Sequence, residues 1–200
     1  MPVSQPPAPA RDRDAPIDGE ELAPVVRRAA RGDEEAWREL ARRYGRRLYA
    51  LARSRVRHHE LAEDIAQSVF ATVADKLRDG EYTEEGKFEP WLFRIAMNRI
   101  RDEIRRQRVS RERLATVAEP EGVASARAEA DDLGALRAAV ARLDPAEQDV
   151  IALRHQAQLS FRAIAELASE PVGTLLARHH RALRKLRAML ESDDATRERP

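Results

Sequence analysis

The chain has no cysteine, which excludes a disulfide framework and any thiolate metal site. Aromatic residues make up only 4% of its 200 residues, so a large β-sandwich or α/β core is not expected. Lysine is nearly missing: Lys76, Lys87 and Lys185 stand alone among 36 basic residues. Positive charge is therefore carried by arginine, whose planar five-donor fork suits phosphates and base edges. No apolar run approaches the ~20 residues of a membrane span. The Pro/Ala-rich N-terminus has no apolar signal segment, so a cytoplasmic protein is the simplest reading. A glycine-rich phosphate loop and a G-x-S-x-G elbow are also missing, which leaves catalysis and a cofactor without a seat.

What is present is Ala, Leu, Arg and Glu, all good helix formers. The net charge of +1 hides a segregated pattern. Eight arginines face three acids between Arg94 and Arg113, and Val172 to Arg187 carries five basic residues, two histidines and no acid. Two localised basic stretches in a nearly neutral chain point to contact with an anion at two places.

Residues 1–18 have almost nothing to bury and read as a disordered tail. A short helix ended by Gly32 follows, in which Pro24 suits only the first turn or so. Asp33 is a good N-cap for a helix with Trp37, Leu40, Tyr44, Leu48 and Leu51 on one face. The next helix carries Leu61, Ile65, Val69, Val73 and Leu77. After a polar loop comes "FEPWLFRIAMNRIRDEIRRQR", in which Phe88, Trp91, Leu92, Ile95, Ile100 and Ile104 recur at helical spacing while arginines collect on the other faces. These four helices form one unit, 19–108. Residues 109–131 lack sustained periodicity and read as a flexible linker with room for local helix. A second helical unit spans 132–191, with "DPAE" opening one helix as N-cap, proline at N1 and acid at N3. Ser160 caps the next helix, and a final helix has Leu175, Leu183, Leu186 and Leu190 facing inward. Residues 192–200 read as a disordered tail. The fold class is all-α: two small helical domains joined by a linker.

In the second unit a short helix, a break at "SEP" and a longer basic helix match a helix-turn-helix over about 160–180. Val172 and Leu175 pin its second helix, whose outer face shows Thr174, Arg178, His179, Arg181, Arg184 and Lys185. Such a helix fits the major groove; the bland reading is a solvated basic helix. In the first unit, Asn98 and the arginines after the aromatic residues suit single-stranded nucleic acid, although Phe88, Trp91 and Leu92 are themselves core. His59 and Glu63, with His58 and Asp64 nearby, lack a metal-binding partner motif and are read as a charged helix start.

At these residues the chain resembles a bacterial RNA polymerase sigma factor of the extracytoplasmic-function (ECF) group. The stretches that carry the likeness are "AEDIAQSVF", "GKFEPWLFRIAMNRIRDEIRR" and the run from "LDPAEQDV" to "RALRKL". The resemblance implies that the first unit is sigma region 2. It would dock on the polymerase β′ clamp helices through Asp64 and Gln67. It would also capture the melted non-template strand of the minus-ten element through Tyr82, Lys87, Asn98, Arg99, Arg101 and Arg105. The second unit would be region 4, resting on the β flap. It would read the minus-thirty-five duplex through Thr174, Arg178, His179, His180, Arg181 and Arg184.

An anti-sigma partner is typical of the group, and so is a regulon answering a stress or envelope signal; neither has a signature in the sequence. The chain departs from the family pattern at Ser68, Ser169, Glu170, Pro171, Leu176 and Ala177. The rival reading is a helix-turn-helix regulator that binds duplex DNA without polymerase.

Overall fold

The computed structural model describes residues 19–56, 58–83, 85–115 and 132–197, which form eight helices and no strand. The expected N-terminal tail (1–18) and linker residues 116–131 lie outside the described residues. The first unit contains α1 (Gly19–Ala30), α2 (Glu34–Arg55), α3 (His59–Arg78) and α4 (Phe88–Ala115). The second contains α5 (Asp132–Ala141), α6 (Pro145–His155), α7 (Phe161–Ala168) and α8 (Val172–Arg197).

Local chemistry sets the corners. Gly32 takes φ +84° after α1, a backbone state that costs glycine least. Asp33 Oδ1 then accepts from the Glu35 and Ala36 N–H groups, and Trp37 Nε1 donates to the Ala29 carbonyl at 2.9 Å. That indole bond fixes the α1–α2 angle. Pro24 lies inside α1, at its sixth residue rather than in its first turn, so one helical N–H is given up there. In the second unit, Ser160 Oγ accepts from Ala163 N–H, and Glu147 reaches back to the Asp144 N–H at 3.3 Å. Ser169 ends α7 in the left-handed region at φ 56°, a state with a steric cost for any residue with a Cβ.

Leu40, Leu48 and Leu51 of α2 meet Val69 and Val73 of α3 and Leu92, Phe93, Met97 and Ile100 of α4 in the core. Phe93 is fully buried. It makes an edge contact with Tyr44 at 6.2 Å and lies 5.1 Å beneath the Arg47 guanidinium.

Four further readings of the sequence need correction. Helix α4 does not end near Arg108 but continues to Ala115, into the first residues assigned to the linker. Helix α8 runs to Arg197, through most of the expected tail. On α8, Leu183 and Val172 are exposed at 41% and 39%, and Ala182 takes the buried place beside Leu175 and Leu186. His179 is buried at 9% exposure, not displayed on the outer face.

The sequence reading assigned no contact between the two units. In the structure they are docked, with α7 against α4 and α6 against α2; one cluster of buried residues runs through both units, and Ala139, Leu143, Ala182 and Leu186 form a second one within the second unit.

Candidate nucleic-acid interface

Helix α4 presents Trp91, Arg94, Asn98, Arg101 and Arg105 at alternating three- and four-residue steps, which places them on one face. At the start of that face Tyr82 is half-buried, with its ring 4.3 Å from Trp91 and 5.8 Å from Phe88. The loop side chain thus rests on an aromatic floor. Lys87 and Asn98 are exposed. Arg105 pairs with Asp102 at 3.0 Å. Arg99 points to another side and donates through Nε to Ser68 Oγ at 3.1 Å, while Ser68 itself donates to the Ile65 carbonyl. One departure from the family pattern therefore ties α3 to α4. Asp64 and Gln67 are both exposed on α3, one turn apart.

The seam between the units uses the same arginine-bearing face. Arg94 donates to the Glu166 carbonyl at 2.7 Å and the Leu167 carbonyl at 3.3 Å. Arg101 donates to Asp149 Oδ2 at 2.7 Å. From α2, Arg47 donates to the Ala157 carbonyl at 2.7 Å and to Glu89 at 2.6 Å. Arg55 donates to Gln148 and sits 3.1 Å from Asp149 Oδ1. Burial pulls the Arg55 guanidinium below its ordinary range, with Asp149 opposing that and Arg101 adding to it. These partners are far apart in sequence, and no periodic signal announces them.

In the second unit α7, the Ser169–Pro171 turn and α8 form a helix-turn-helix. Thr174, His180, Arg181 and Arg184 are exposed on α8. Arg178 is not free: Nη1 and Nη2 donate to the two Glu170 carboxylate oxygens at 3.0 and 2.7 Å. This hydrogen-bonded pair raises the Arg178 pKa and lowers that of Glu170. Its bidentate edge is taken, so reading a guanine would require displacing Glu170. Lys185 is likewise held by Asp144 and Glu147 at 2.9 and 2.8 Å.

His179 faces His155, with their Nε2 atoms 3.0 Å apart and ring centroids at 5.2 Å. The centroids are farther apart than the nitrogens by about the width of a ring, so the imidazoles meet edge to edge through one N–H···N bond. Phe161 packs against His179 and His180 lies beside it. Burial lowers both pKa values; Arg154 adds to the effect at His155, and His155, His180 and Arg154 add to it at His179. The folded chain thus binds protons less readily than the unfolded one. This contribution is complete above the ordinary imidazole value of 6.5 and is lost as pH falls through the lowered folded values. Thermal melts should show the midpoint falling between pH 7 and pH 5.5, and falling less in His179→Leu. An equal pH slope in the two proteins would clear the pair of this role.

His59 Nδ1 lies 3.2 Å from the Tyr49 hydroxyl and 3.6 Å from Glu63. Among the described residues no group of three or more His, Asp or Glu side chains is placed to hold a metal ion. No helix of the described residues is long and apolar enough to cross a membrane.

The family model Sigma-70 region 2 matches residues 40–109, and Sigma-70, region 4 matches 139–188. The RNA polymerase sigma factor NccH of Alcaligenes xylosoxydans xylosoxydans is 33% identical over 84% of this chain and 94% of its own length. The chain belongs to the ECF RNA polymerase sigma factors. The ECF sigma factor SigW of Bacillus subtilis (strain 168) is 28% identical over 82% of the chain and 94% of its own length. The solved structure of CnrH in complex with the cytosolic domain of CnrY superposes with a TM-score of 0.66 at 27% identity. It covers 86% of this sigma factor and 97% of CnrH. The sigma factor RpoE of Bartonella quintana, solved with the anti-sigma factor NepR, shares the fold at 22% identity and a TM-score of 0.52. As a sigma factor this chain binds core RNA polymerase and directs promoter recognition in transcription initiation. Region 2 corresponds to α2–α4 and region 4 to α5–α8.

Proposed function

We propose that this sigma factor divides promoter recognition between three surfaces. Asp64 and Gln67 on α3 contact the β′ clamp helices. The α4 face with Asn98, Arg101 and Arg105, together with Arg99, Tyr82 and Lys87, captures the melted minus-ten strand. The exposed side of α8, with Thr174, His180, Arg181 and Arg184, enters the minus-thirty-five duplex while region 4 rests on the β flap. Residues 19–108 and 132–191 act as the two working units and 109–131 as the linker, although its first turns continue α4.

The observation that carries this reading is the placement of exposed Asn98 on the same helical face as Trp91, Arg94, Arg101 and Arg105, next to the aromatic floor under Tyr82. Unpairing a base costs a few kcal/mol, which a rigid pocket and backbone contacts must offset. The core beneath Phe88 and Phe93 supplies the rigidity, and the amide and arginines supply a polar rim. By analogy with CnrH and RpoE, an anti-sigma protein binds this chain and holds it idle until a signal arrives. It works in the cytoplasm and performs no catalysis of its own.

Run-off transcription with core polymerase, with the chain present and omitted, tests the reading; promoter-dependent transcripts should appear only when both are supplied. In the same assay Arg181→Ala should lower promoter binding by the holoenzyme and reduce its salt slope by about 0.9. Arg137→Ala on exposed α5 should leave both unchanged. Equal effects of the two substitutions would remove α8 from the duplex.

A further inference from the structure

Leu176 and Ala177, two of the chain's departures from the family pattern, stand in the second turn of α8. With Gly173, His180, Arg181 and Arg184 they share one face, about 140° wide at 3.6 residues per turn. All six are exposed, whereas Leu175, His179, Ala182 and Leu186 on the opposite face are buried. Leu176 is 37% exposed, so the interior of the protein leaves much of its side chain bare. Gly173 has no internal reason to be glycine. A Cβ there would meet nothing within 4 Å, and its φ lies outside the left-handed region. Glycine weakens a helix relative to alanine; what it gains here is a bare first turn that can approach a neighbour closely.

The surroundings suit a polyanion. No acid occurs from Val172 to Arg187, and Arg181 and Arg184 follow Leu176 on the same face as exposed cations. Base edges are reached by the N-terminal residues of a recognition helix. The one arginine in the first two turns of α8, Arg178, has its fork closed on Glu170. Beside the Thr174 hydroxyl, those turns therefore offer a base edge an apolar surface, Leu176 and Ala177. Among the groups lining the major groove the thymine 5-methyl is the apolar one. A base donor or acceptor pressed against leucine would instead lose its water without gaining a partner.

We propose that Leu176 is a specificity-determining residue that packs against the 5-methyl group of a thymine in the minus-thirty-five duplex. Ala177 widens the apolar contact, and Gly173 lets the helix sit deep enough to make it. Arg181 and Arg184 grip the flanking backbone. This inference rests on the placement of α8 in that duplex, proposed above.

The test uses the holoenzyme, the full chain with core polymerase, on a fluorescein-labelled duplex promoter that is active in the run-off assay. The promoter is made in two forms, with thymine or with uracil throughout the minus-thirty-five element, which differ only in 5-methyl groups. Binding is read by fluorescence anisotropy. The parent should bind the uracil form about three- to five-fold more weakly, the effect of uncovering one buried methyl-sized group. Leu176→Ala should lose about as much on the thymine form and bind the two forms alike. Leu176→Gln gives the same comparison if the alanine variant does not fold, which circular dichroism decides. Replacing the thymines singly then locates the base pair.

Equal binding of the two forms by the parent overturns the inference, and so does a minus-thirty-five element with no thymine on either strand. An unchanged ratio in both Leu176 variants overturns it as well. Leu183 is exposed on the same edge of α8, two turns further on. If Leu176→Ala and Leu183→Ala weaken both forms equally, that edge docks on polymerase protein and the methyl contact is wrong. Arg181→Ala is measured alongside and should weaken both forms while keeping their ratio. If it does so while the parent fails to discriminate, the methyl contact falls and α8 stays in the duplex. If Arg181→Ala changes nothing, the placement of α8 itself falls.

Discussion

Replacing Phe93 by alanine is expected to lower the unfolding free energy by about 3–5 kcal/mol, read from urea denaturation followed by circular dichroism. The ring is completely buried, meets Tyr44 edge-on, and lies beneath Arg47. Truncation removes a large transfer term and opens a hole between α2 and α4 that straight helices cannot close. With a domain stability of about 5–15 kcal/mol, much of the folded margin goes. A second effect follows from Arg47, which uses the Phe93 face as a platform while donating to the Ala157 carbonyl. The seam should loosen along with the core. Leu183→Ala, at an exposed site, should change stability by about 0.5 kcal/mol or less. A loss below ~1 kcal/mol for Phe93→Ala would show that the core does not depend on this ring.

Local rules made much of the fold legible. The apolar stripes of α2 and α3, the Asp33 and Ser160 caps and the Asp144–Glu147 pair each depend on neighbours within one or two turns. Such signals survive without tertiary context. Errors arose where context decides. His179 stands among outward residues in the sequence, yet one residue is a 100° turn, and His155 at the end of α6 gives its buried ring a polar partner. Arg178 has the sequence position of a base reader, yet Glu170, eight residues earlier, holds it through both guanidinium nitrogens. The seam could not be read at all. Arg47 meets Ala157 and Arg94 meets Glu166 across gaps of 110 and 72 residues, and no repeating pattern encodes a pairing at that range. The arginines of α4 are legible in the sequence as a charged face, but the sequence does not reveal that Arg94 and Arg101 on that face are already engaged by the second unit.

Asn98→Ala should reduce capture of the minus-ten strand about five-fold to a hundred-fold, the loss expected when a hydrogen-bonding group worth about 1–3 kcal/mol disappears from a dehydrated pocket. The side chain is exposed on α4, so its removal leaves no cavity, and the stability of the variant should match the parent. That separates it from Phe93→Ala, in which binding and folding fail together. The holoenzyme should bind a duplex minus-thirty-five site unchanged, because α8 does not touch Asn98. The defect should appear on fork templates carrying an unpaired minus-ten strand, and as slower permanganate reactivity of melting thymines on duplex promoters. Because a pre-opened template removes the melting cost but keeps the contact, the variant should remain weaker there. If it binds the fork as tightly as the parent, Asn98 has no contact with the strand. The polar rim would then consist of arginines alone, gripping the backbone without distinguishing a base.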